Sequence, residues 1–120
     1  MHDRDVRYEL SEGRVNGIDA TERLVAEWQP IGTAVVQLLA LGMDVVLRED
    51  YYRFPPGRSN VYCLDPSFSL KWSAELPSIT DVYANTVQLL DGLLVCASWE
   101  GETCWLDPRS GVIVRRALTK

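Results

Sequence analysis

The sequence contains closely similar patterns at three places. Glu12-Gly13 followed by Ile18-Asp19-Ala20 recurs, 88 positions later and without a gap, as Glu100-Gly101 followed by Leu106-Asp107-Pro108. Leu64-Asp65-Pro66 is the middle version, so the three aspartates stand 46 and 42 residues apart. A period of this length is typical of repeat architectures, in which one supersecondary unit is copied and each copy packs on its neighbours. The repeat therefore constrains the fold more than any other feature of the chain.

Each unit has the pattern of an antiparallel meander of up to four strands, which we label A, B, C and D. Short runs of β-forming residues alternate with turns rich in Asp, Gly and Pro. In the last unit the predicted strands are 86–90, 93–98, 103–106 and 112–117. In the middle unit they are 35–39, 44–48, 60–64 and 70–74. The first unit lacks strand A, and its predicted strands are 6–10, 14–19 and 23–28.

Eleven short strands at regular spacing predict an all-β fold. The segment 31–41 is apolar enough for an amphipathic helix, but its match to strand A of the last unit favours a strand. The A strands stand 51 residues apart and the C strands only 42, so the middle unit carries extra residues between B and C. This insertion lies within 48–59.

Length and composition predict a single globular domain over residues 1–120. A net charge of −5 argues against nucleic acid and against an anionic membrane surface, and it suits a basic partner. The charged start of the chain, with no apolar run after it, argues against a secretory signal peptide. Three cysteines without a CxxC motif predict free thiols and a cytoplasmic location.

The repeat resembles the quinoprotein-type (PQQ-like) blade of β-propellers. Residues 98–111 follow the order of that blade: a small residue, a glycine turn, a strand that ends in an aromatic residue and leucine-aspartate, and a second glycine turn. Residues 61–66 with Trp72 follow it in the middle unit, and residues 18–21 with Trp28 do so loosely in the first. WD-repeat blades are a weaker match, because no Trp-Asp pair closes strand C. The resemblance implies a propeller-like arc of about 2.75 blades.

Closed propellers have at least four blades, so an isolated arc would expose apolar faces. The chain either self-associates, for example as a dimer of about six blades, or folds as an open stack of sheets; we expect a homo-oligomer. The resemblance does not imply the catalytic activity of quinoprotein dehydrogenases, because their vicinal cysteine pair and their calcium and quinone ligands are missing. With one histidine and no P-loop, GxGxxG or GxSxG motif, we expect neither an enzyme nor a cofactor.

Several residues allow both a structural and a chemical interpretation. Asp19, Asp65 and Asp107 suit a carboxylate site, but a turn-closing role explains them locally. Cys96 and Cys104 flank one turn and are predicted to lie opposite each other. A redox pair or metal site is the alternative to small buried hydrophobes, which we favour.

The four tryptophans divide in a similar way. Trp28, Trp72 and Trp105 are predicted core residues, whereas the exposure of Trp99, at a turn, stays open.

The insertion is the segment best suited to contact with a partner, because aromatic residues and Arg are enriched at binding hot spots. In a meander the B–C loops and the D–A connections emerge at one end, so the insertion should share a surface with the 99–100 turn and the 76–83 connection. The alternative is that these aromatics pack over the edge of a unit. The predicted binding residues are Tyr51, Tyr52, Arg53, Phe54, Arg58, Tyr83, Trp99 and Glu100.

We therefore expect a non-catalytic module that binds a protein partner. Two alternatives stay open. The first is a toxin-neutralising immunity-type protein, whose acidic surface would match a basic toxin. The second is a lectin-like propeller in which Trp99, Tyr51 and Tyr52 stack on sugar rings.

Overall fold

Within residues 6–118, which the computed structural model describes, the regular secondary structure is entirely β. His2 and the charged start of the chain lie outside this range. Among the described residues, no helix has the length and apolar character needed to cross a membrane. The strands are β1 (Arg7–Ser11), β2 (Arg14–Ile18), β3 (Leu24–Trp28), β4 (Val35–Leu41), β5 (Asp44–Glu49), β6 (Val61–Leu64), β7 (Leu70–Ser73), β8 (Gln88–Leu90), β9 (Leu93–Ala97), β10 (Glu102–Leu106) and β11 (Ile113–Leu118).

The strands form three antiparallel sheets, one for each repeat unit. The first unit is β1-β2-β3, the middle unit β4-β5-β6-β7, and the last unit β8-β9-β10-β11, each ordered as in the chain. The all-β prediction of meander units is confirmed for the described residues. The prediction that the first unit lacks strand A concerns positions before residue 6, which lie outside the described residues. The alternative of a helix over 31–41 is wrong, because β4 pairs with β5 along this segment.

The middle sheet is buried on both faces. All four residues of β6 are buried, which is typical of a strand with no solvent-exposed side. On one face Tyr62 and Leu64 pack with Val15 of the first unit. On the other face Val61 and Cys63 pack in a cluster with buried residues of the last unit. The two hydrophobic cores of the molecule are therefore the two joints between consecutive sheets.

The repeated aspartate closes the same turn in every unit. One carboxylate oxygen of Asp19 and of Asp65 accepts backbone N–H bonds from residues two and four positions later, at 2.9–3.0 Å. Asp107 accepts one from the residue two positions later, at 2.9 Å. A β-bulge also begins two residues before each aspartate, at Gly17, Cys63 and Trp105. The shared geometry supports the turn-closing interpretation over a metal site, and no group of three potential metal ligands occurs among residues 6–118.

Two amide side chains of the middle unit clamp the segment that leads into the last unit. Asn60 donates to the carbonyl oxygens of Glu49 and Tyr83, at 2.8 and 2.7 Å, and accepts from Tyr83 N at 3.0 Å. Gln37 donates to the carbonyl oxygen of Val87 at 2.7 Å and accepts from its N–H at 2.8 Å. Each amide therefore bonds both the donor and the acceptor of one backbone residue, as a neighbouring strand would.

Each joint also pairs a large aromatic residue with a glycine. A Cβ atom on Gly17 would lie 3.6 Å from the ring of Phe68, which stacks on Tyr8. At the second joint a Cβ atom on Gly111 would lie 2.4 Å from the ring of Trp72. Phe68 and Gly111 occupy the positive-φ position of their turns, with φ of 64° and 73°. At both joints the middle unit supplies the bulky side chain and an outer unit supplies the glycine.

Replacing Asn60 by Ala should lower the free energy of unfolding by about 2–4 kcal/mol, because it leaves backbone groups of Glu49 and Tyr83 buried without partners. Chemical denaturation measures the change. Asn85→Ala, at an exposed position in the same connection, is the control and should change stability by no more than about 0.5 kcal/mol. Equal effects of the two substitutions would contradict the clamp.

Gly111→Ala and Gly92→Ala separate backbone strain from steric conflict. Both glycines have positive φ, 73° and 80°, but only a Cβ on Gly111 meets a neighbour. Gly92→Ala should therefore cost about 1–2 kcal/mol for the left-handed backbone alone. Gly111→Ala should cost about 1–3 kcal/mol more, because the methyl group displaces Trp72. Thermal and denaturant unfolding of the two variants would show this difference, and its absence would contradict the close packing at the second joint.

Candidate functional site

An open pocket of about 370 Å³ lies where the middle and last units meet. Its walls are Tyr51, Tyr52 and Arg53 of the insertion, Val82 of the D–A connection, and Trp99 of the β9–β10 turn. The sequence-based expectation that these three segments share one surface therefore agrees with the geometry. Four of these five residues belong to the predicted binding set, and Val82 is the addition.

Stacked aromatic rings form the centre of the pocket. The ring centroids of Tyr51 and Trp99 are 5.2 Å apart, with an interplanar angle of 24°. Trp99 nevertheless stays 63% exposed and Tyr52 66% exposed. The guanidinium carbon of Arg53 lies 5.6 Å from the centre of the Tyr52 ring, a cation–π distance. The surface thus combines large apolar area with one cation, and it remains open to solvent.

Backbone and side-chain hydrogen bonds hold the Trp99 turn against the D–A connection. Trp99 N donates to the carbonyl oxygen of Val82 at 2.8 Å, and Glu100 N donates to Asp81 Oδ1 at 3.1 Å. The Thr80 hydroxyl donates to Glu100 Oε2 at 3.1 Å. Asp81 is 5% exposed, and its other carboxylate oxygen is buried without a hydrogen-bond partner among the described residues. The carboxylates of Asp81 and Glu100 thus lie beside the pocket wall.

The insertion is held at its base by Phe54. This side chain is 8% exposed and packs against Gly32, where a Cβ atom would lie 2.7 Å from the ring. Tyr52 N donates to Asp50 Oδ1 at 3.1 Å, and Arg53 adopts a positive φ of 65°. Left-handed backbone is uncommon for a residue other than glycine. The fold of the insertion therefore keeps Tyr52 and Arg53 outward while Phe54 points inward.

A buried carboxylate fixes the loop under Phe54. Glu49, at the end of β5, is fully buried and accepts backbone N–H bonds from Ile31, Gly32 and Thr33 at 2.8–2.9 Å. It also accepts a short hydrogen bond from the Tyr62 hydroxyl. Burial and this bond to Glu49 raise the pKa of Tyr62 above its usual value, so the phenol stays protonated and donating. Sequence reasoning missed this role of Glu49, because its partners lie 16–18 residues away in the chain.

Two residues of the predicted binding set lie in the interior. Phe54 packs under the insertion, as described above. Tyr83 is fully buried, and its hydroxyl donates to the carbonyl oxygen of Glu75. Burial raises the pKa of Tyr83, so it remains neutral. Both side chains therefore act in packing rather than at the surface, whereas Arg58 is exposed but does not line the pocket.

The other tryptophans occupy three different environments. Trp72 is 7% exposed, and its indole N–H donates to the carbonyl oxygen of Pro108 at 3.0 Å. Trp28 is half-buried at the first joint and donates to the Tyr62 hydroxyl at 2.9 Å. Trp105, expected in the core, instead lies half-buried on the outer side of the last sheet, with the Arg115 guanidinium 4.2 Å from its ring centre. The sequence could not tell which face of that sheet is covered.

The cysteine thiols are buried and free. Cys96 and Cys104 are paired neighbours on β9 and β10, as the sequence predicted. Burial raises the pKa of Cys96 to about 12 and that of Cys63 to about 11, and it also raises the pKa of Cys104. Protonated thiols are poor nucleophiles and poor metal ligands. The surroundings of these cysteines thus favour their interpretation as small hydrophobes.

Comparison with known proteins identifies the architecture. No protein-family model matches the sequence, and no curated protein is a significant match. Among solved structures, BamB from Moraxella catarrhalis superposes with a TM-score of 0.65 at 16% identity over 95% of this chain. The computationally designed Ika4 protein gives a TM-score of 0.69 at 15% identity over 94%. The Cps50 (Swd1) β-propeller domain of Myceliophteria thermophila gives 0.65 at 15% identity over 97%.

The fold is a partial β-propeller. The chain spans 33% of the BamB chain, 66% of Ika4 and 41% of the Swd1 domain, so it corresponds to an arc of such a ring. Three meander sheets packed face to face in chain order are the blades of this arc. In these terms the candidate site spans the loops at one end of the middle and last blades.

The thiols provide a direct test of this interior. In the folded protein, iodoacetamide near neutral pH should modify none of Cys63, Cys96 and Cys104, because all three are buried and protonated. In denaturant all three should react, and mass spectrometry counts the adducts. Rapid labelling of Cys96 or Cys104 in the folded state would instead support the redox-pair alternative.

Proposed function

We propose that this chain is a non-catalytic module that binds a basic protein segment in the pocket between its middle and last blades. The observation that carries the proposal is the pair of large, exposed aromatic side chains, Tyr52 and Trp99, held in place by a well-bonded scaffold. Clustered exposed aromatics with an adjacent Arg have the composition of a binding hot spot. Rigid anchors lower the entropy lost on binding.

Charge supports a basic partner. The chain has a net charge of −5, and Glu100 and Asp81 lie beside Trp99. Tyr51 covers one side of the Trp99 ring, and the indole is still 63% exposed. A Lys or Arg side chain of the partner would lie over the open side of Trp99, in a cation–π contact, and pair with Glu100. A toxin-neutralising immunity-type protein is a special case of this binding mode.

Two finer assignments belong to the same proposal. The repeats are of the quinoprotein type, as the aspartate turns and the order of small, aromatic and glycine residues suggest. The module works without a cofactor or catalytic step in the reducing cytoplasm, as the sequence predicts. BamB and Swd1 share the fold at low identity and do not identify the partner.

A lectin-like function is the second candidate, because the exposed aromatics that suit a peptide also suit a sugar ring. In a sugar site the Tyr52 and Trp99 rings would stack on the apolar face of the saccharide. The two candidates differ in how their affinity depends on charge, because a neutral sugar forms no ion pair with Glu100.

Isothermal titration calorimetry with short synthetic peptides tests the proposal, because this measurement does not need Trp99 as a reporter. The peptides have matched length and are either rich in lysine and arginine or rich in glutamate. The basic peptides should bind more tightly, and Trp99→Ala should weaken them at least about tenfold, equivalent to about 1.4 kcal/mol. Met43→Ala, at an exposed apolar position in the β4–β5 turn, should leave the affinity unchanged. Equal binding of basic and acidic peptides, or no effect of Trp99→Ala, would refute the proposal.

Glu100→Gln separates the two candidates. It should weaken the basic peptides several-fold at low salt, with the difference shrinking as salt screens the charges. Asp91→Asn, in the β8–β9 turn at the opposite end of the blade, is the matched control. A panel of neutral glycans should leave the tryptophan fluorescence of the wild type unchanged. A saturable change with one glycan, insensitive to Glu100→Gln, would favour the lectin.

A further inference from the structure

Both internal joints are built from the same two kinds of sheet face. We call the face that packs on the following blade the leading face, and the opposite one the trailing face. At the first joint the leading residue Val15 meets the trailing residues Tyr62 and Leu64. At the second joint Val46 and Cys63 lie on the leading face of the middle blade. They pack on the trailing face of the last blade, which includes Leu94 and Cys104.

The last blade has an uncovered leading face. Its Val95 and Trp105 correspond to Val46 and Cys63 of the middle blade. Trp105 and Cys63 each directly precede the leucine of the leucine-aspartate pair, and Val95 and Val46 are their paired residues on the neighbouring strand. The side chains of Val95 and Trp105 are only half-buried, and no other described segment packs over this face. Its apolar and small residues include Leu90, Val95, Ala97, Thr103, Trp105 and Ala117. Two polar side chains share the face, Gln88 opposite Val95 and Arg115 above Trp105.

The first blade, by contrast, has a charged trailing face. Arg7 and Glu9 occupy the register positions of Val45 and Leu47, which are buried in the middle blade. Arg7 pairs with Glu22 at 2.7 Å and with Glu9 at 3.0 Å. Burying these ions against an apolar face would remove their water, and that cost exceeds the gain from the pairs. A polar outer surface of this kind is typical of a terminal repeat that ends a stack.

We propose that the leading face of the last blade binds the same face of a second copy, in a symmetric two-fold dimer. This surface is the repeat equivalent of two faces that are already interfaces within the chain. Head-to-tail closure, including the ring of about six blades expected from the sequence, would place it on the charged trailing face of the first blade. The same face on a second copy carries one charged side chain, Arg115 above Trp105, in place of the three-charge network of Arg7, Glu9 and Glu22. It therefore costs less to bury, and an isologous contact of this kind closes by itself.

The size of the face predicts weak association. The four strands have three to six residues and lie about 4.8 Å apart, so they make a patch below the roughly 800 Å² per partner of standard interfaces. We therefore expect half of the chains to be dimeric at a total chain concentration of roughly 10–100 μM. The pocket that contains Trp99 lies at the loop end of the blade and remains free in this dimer, so the inference does not depend on the proposed function.

Sedimentation velocity over a concentration series tests the proposal. As the concentration rises, the average mass of the wild type should increase from 13.5 kDa towards twice that value and no further. Val95→Arg, at the centre of the face, should remain a monomer with unchanged circular dichroism. Thr103→Arg, at a position that already holds a polar side chain on the same face, provides a second variant if Val95→Arg does not fold.

The matched control is Leu24→Arg, at a 58% exposed position paired with Ile18 on the trailing face of the first blade. It should dimerise as the wild type does. A wild type that stays monomeric throughout the series overturns the proposal and leaves this face to a different protein or none. Assembly beyond a dimer, or assembly abolished by Leu24→Arg, also overturns it and supports head-to-tail closure.

Discussion

The middle blade depends on losing contact with water on both of its faces. Val61, Tyr62, Cys63 and Leu64 alternate between two separate hydrophobic clusters, so neither neighbouring sheet can leave without exposing one of them. A short sheet has too little area to fold alone, and its stability comes from the joints. The first and last blades are thus held by surfaces that belong to the middle one.

Apolar contact alone would allow the sheets to slide, and polar contacts fix their alignment. Gln37 and Asn60 each bond both backbone groups of one residue in the connection to the last blade. The complementary sizes of Trp72 and Gly111 permit only one register at the same joint. Buried hydrogen bonds of this kind add specificity because any other alignment would leave their partners unsatisfied.

The sequence predicted the strands well because strand and turn signals are local. Turn residues such as aspartate and glycine, together with runs of β-branched residues, determine where a strand starts and ends, whichever segments pack beside it. Burial is a different matter, because it depends on which residues from distant segments meet. Tyr83 looks like a surface aromatic until Asn60, 23 residues earlier, is seen to bond its backbone. Trp105 looks like a core residue because nothing local reveals that the last blade has one open face.

The position of the pocket across a joint has a thermodynamic consequence. Tyr51 comes from the middle blade and Trp99 from the last, and their rings touch only while the two blades are docked. A ligand that contacts both therefore binds the docked arrangement and not a partly opened one. By linkage, its binding energy adds to the cohesion of the second joint. The ligand and the protein would then protect each other from proteolysis and heat, even though the ligand touches no part of the hydrophobic core.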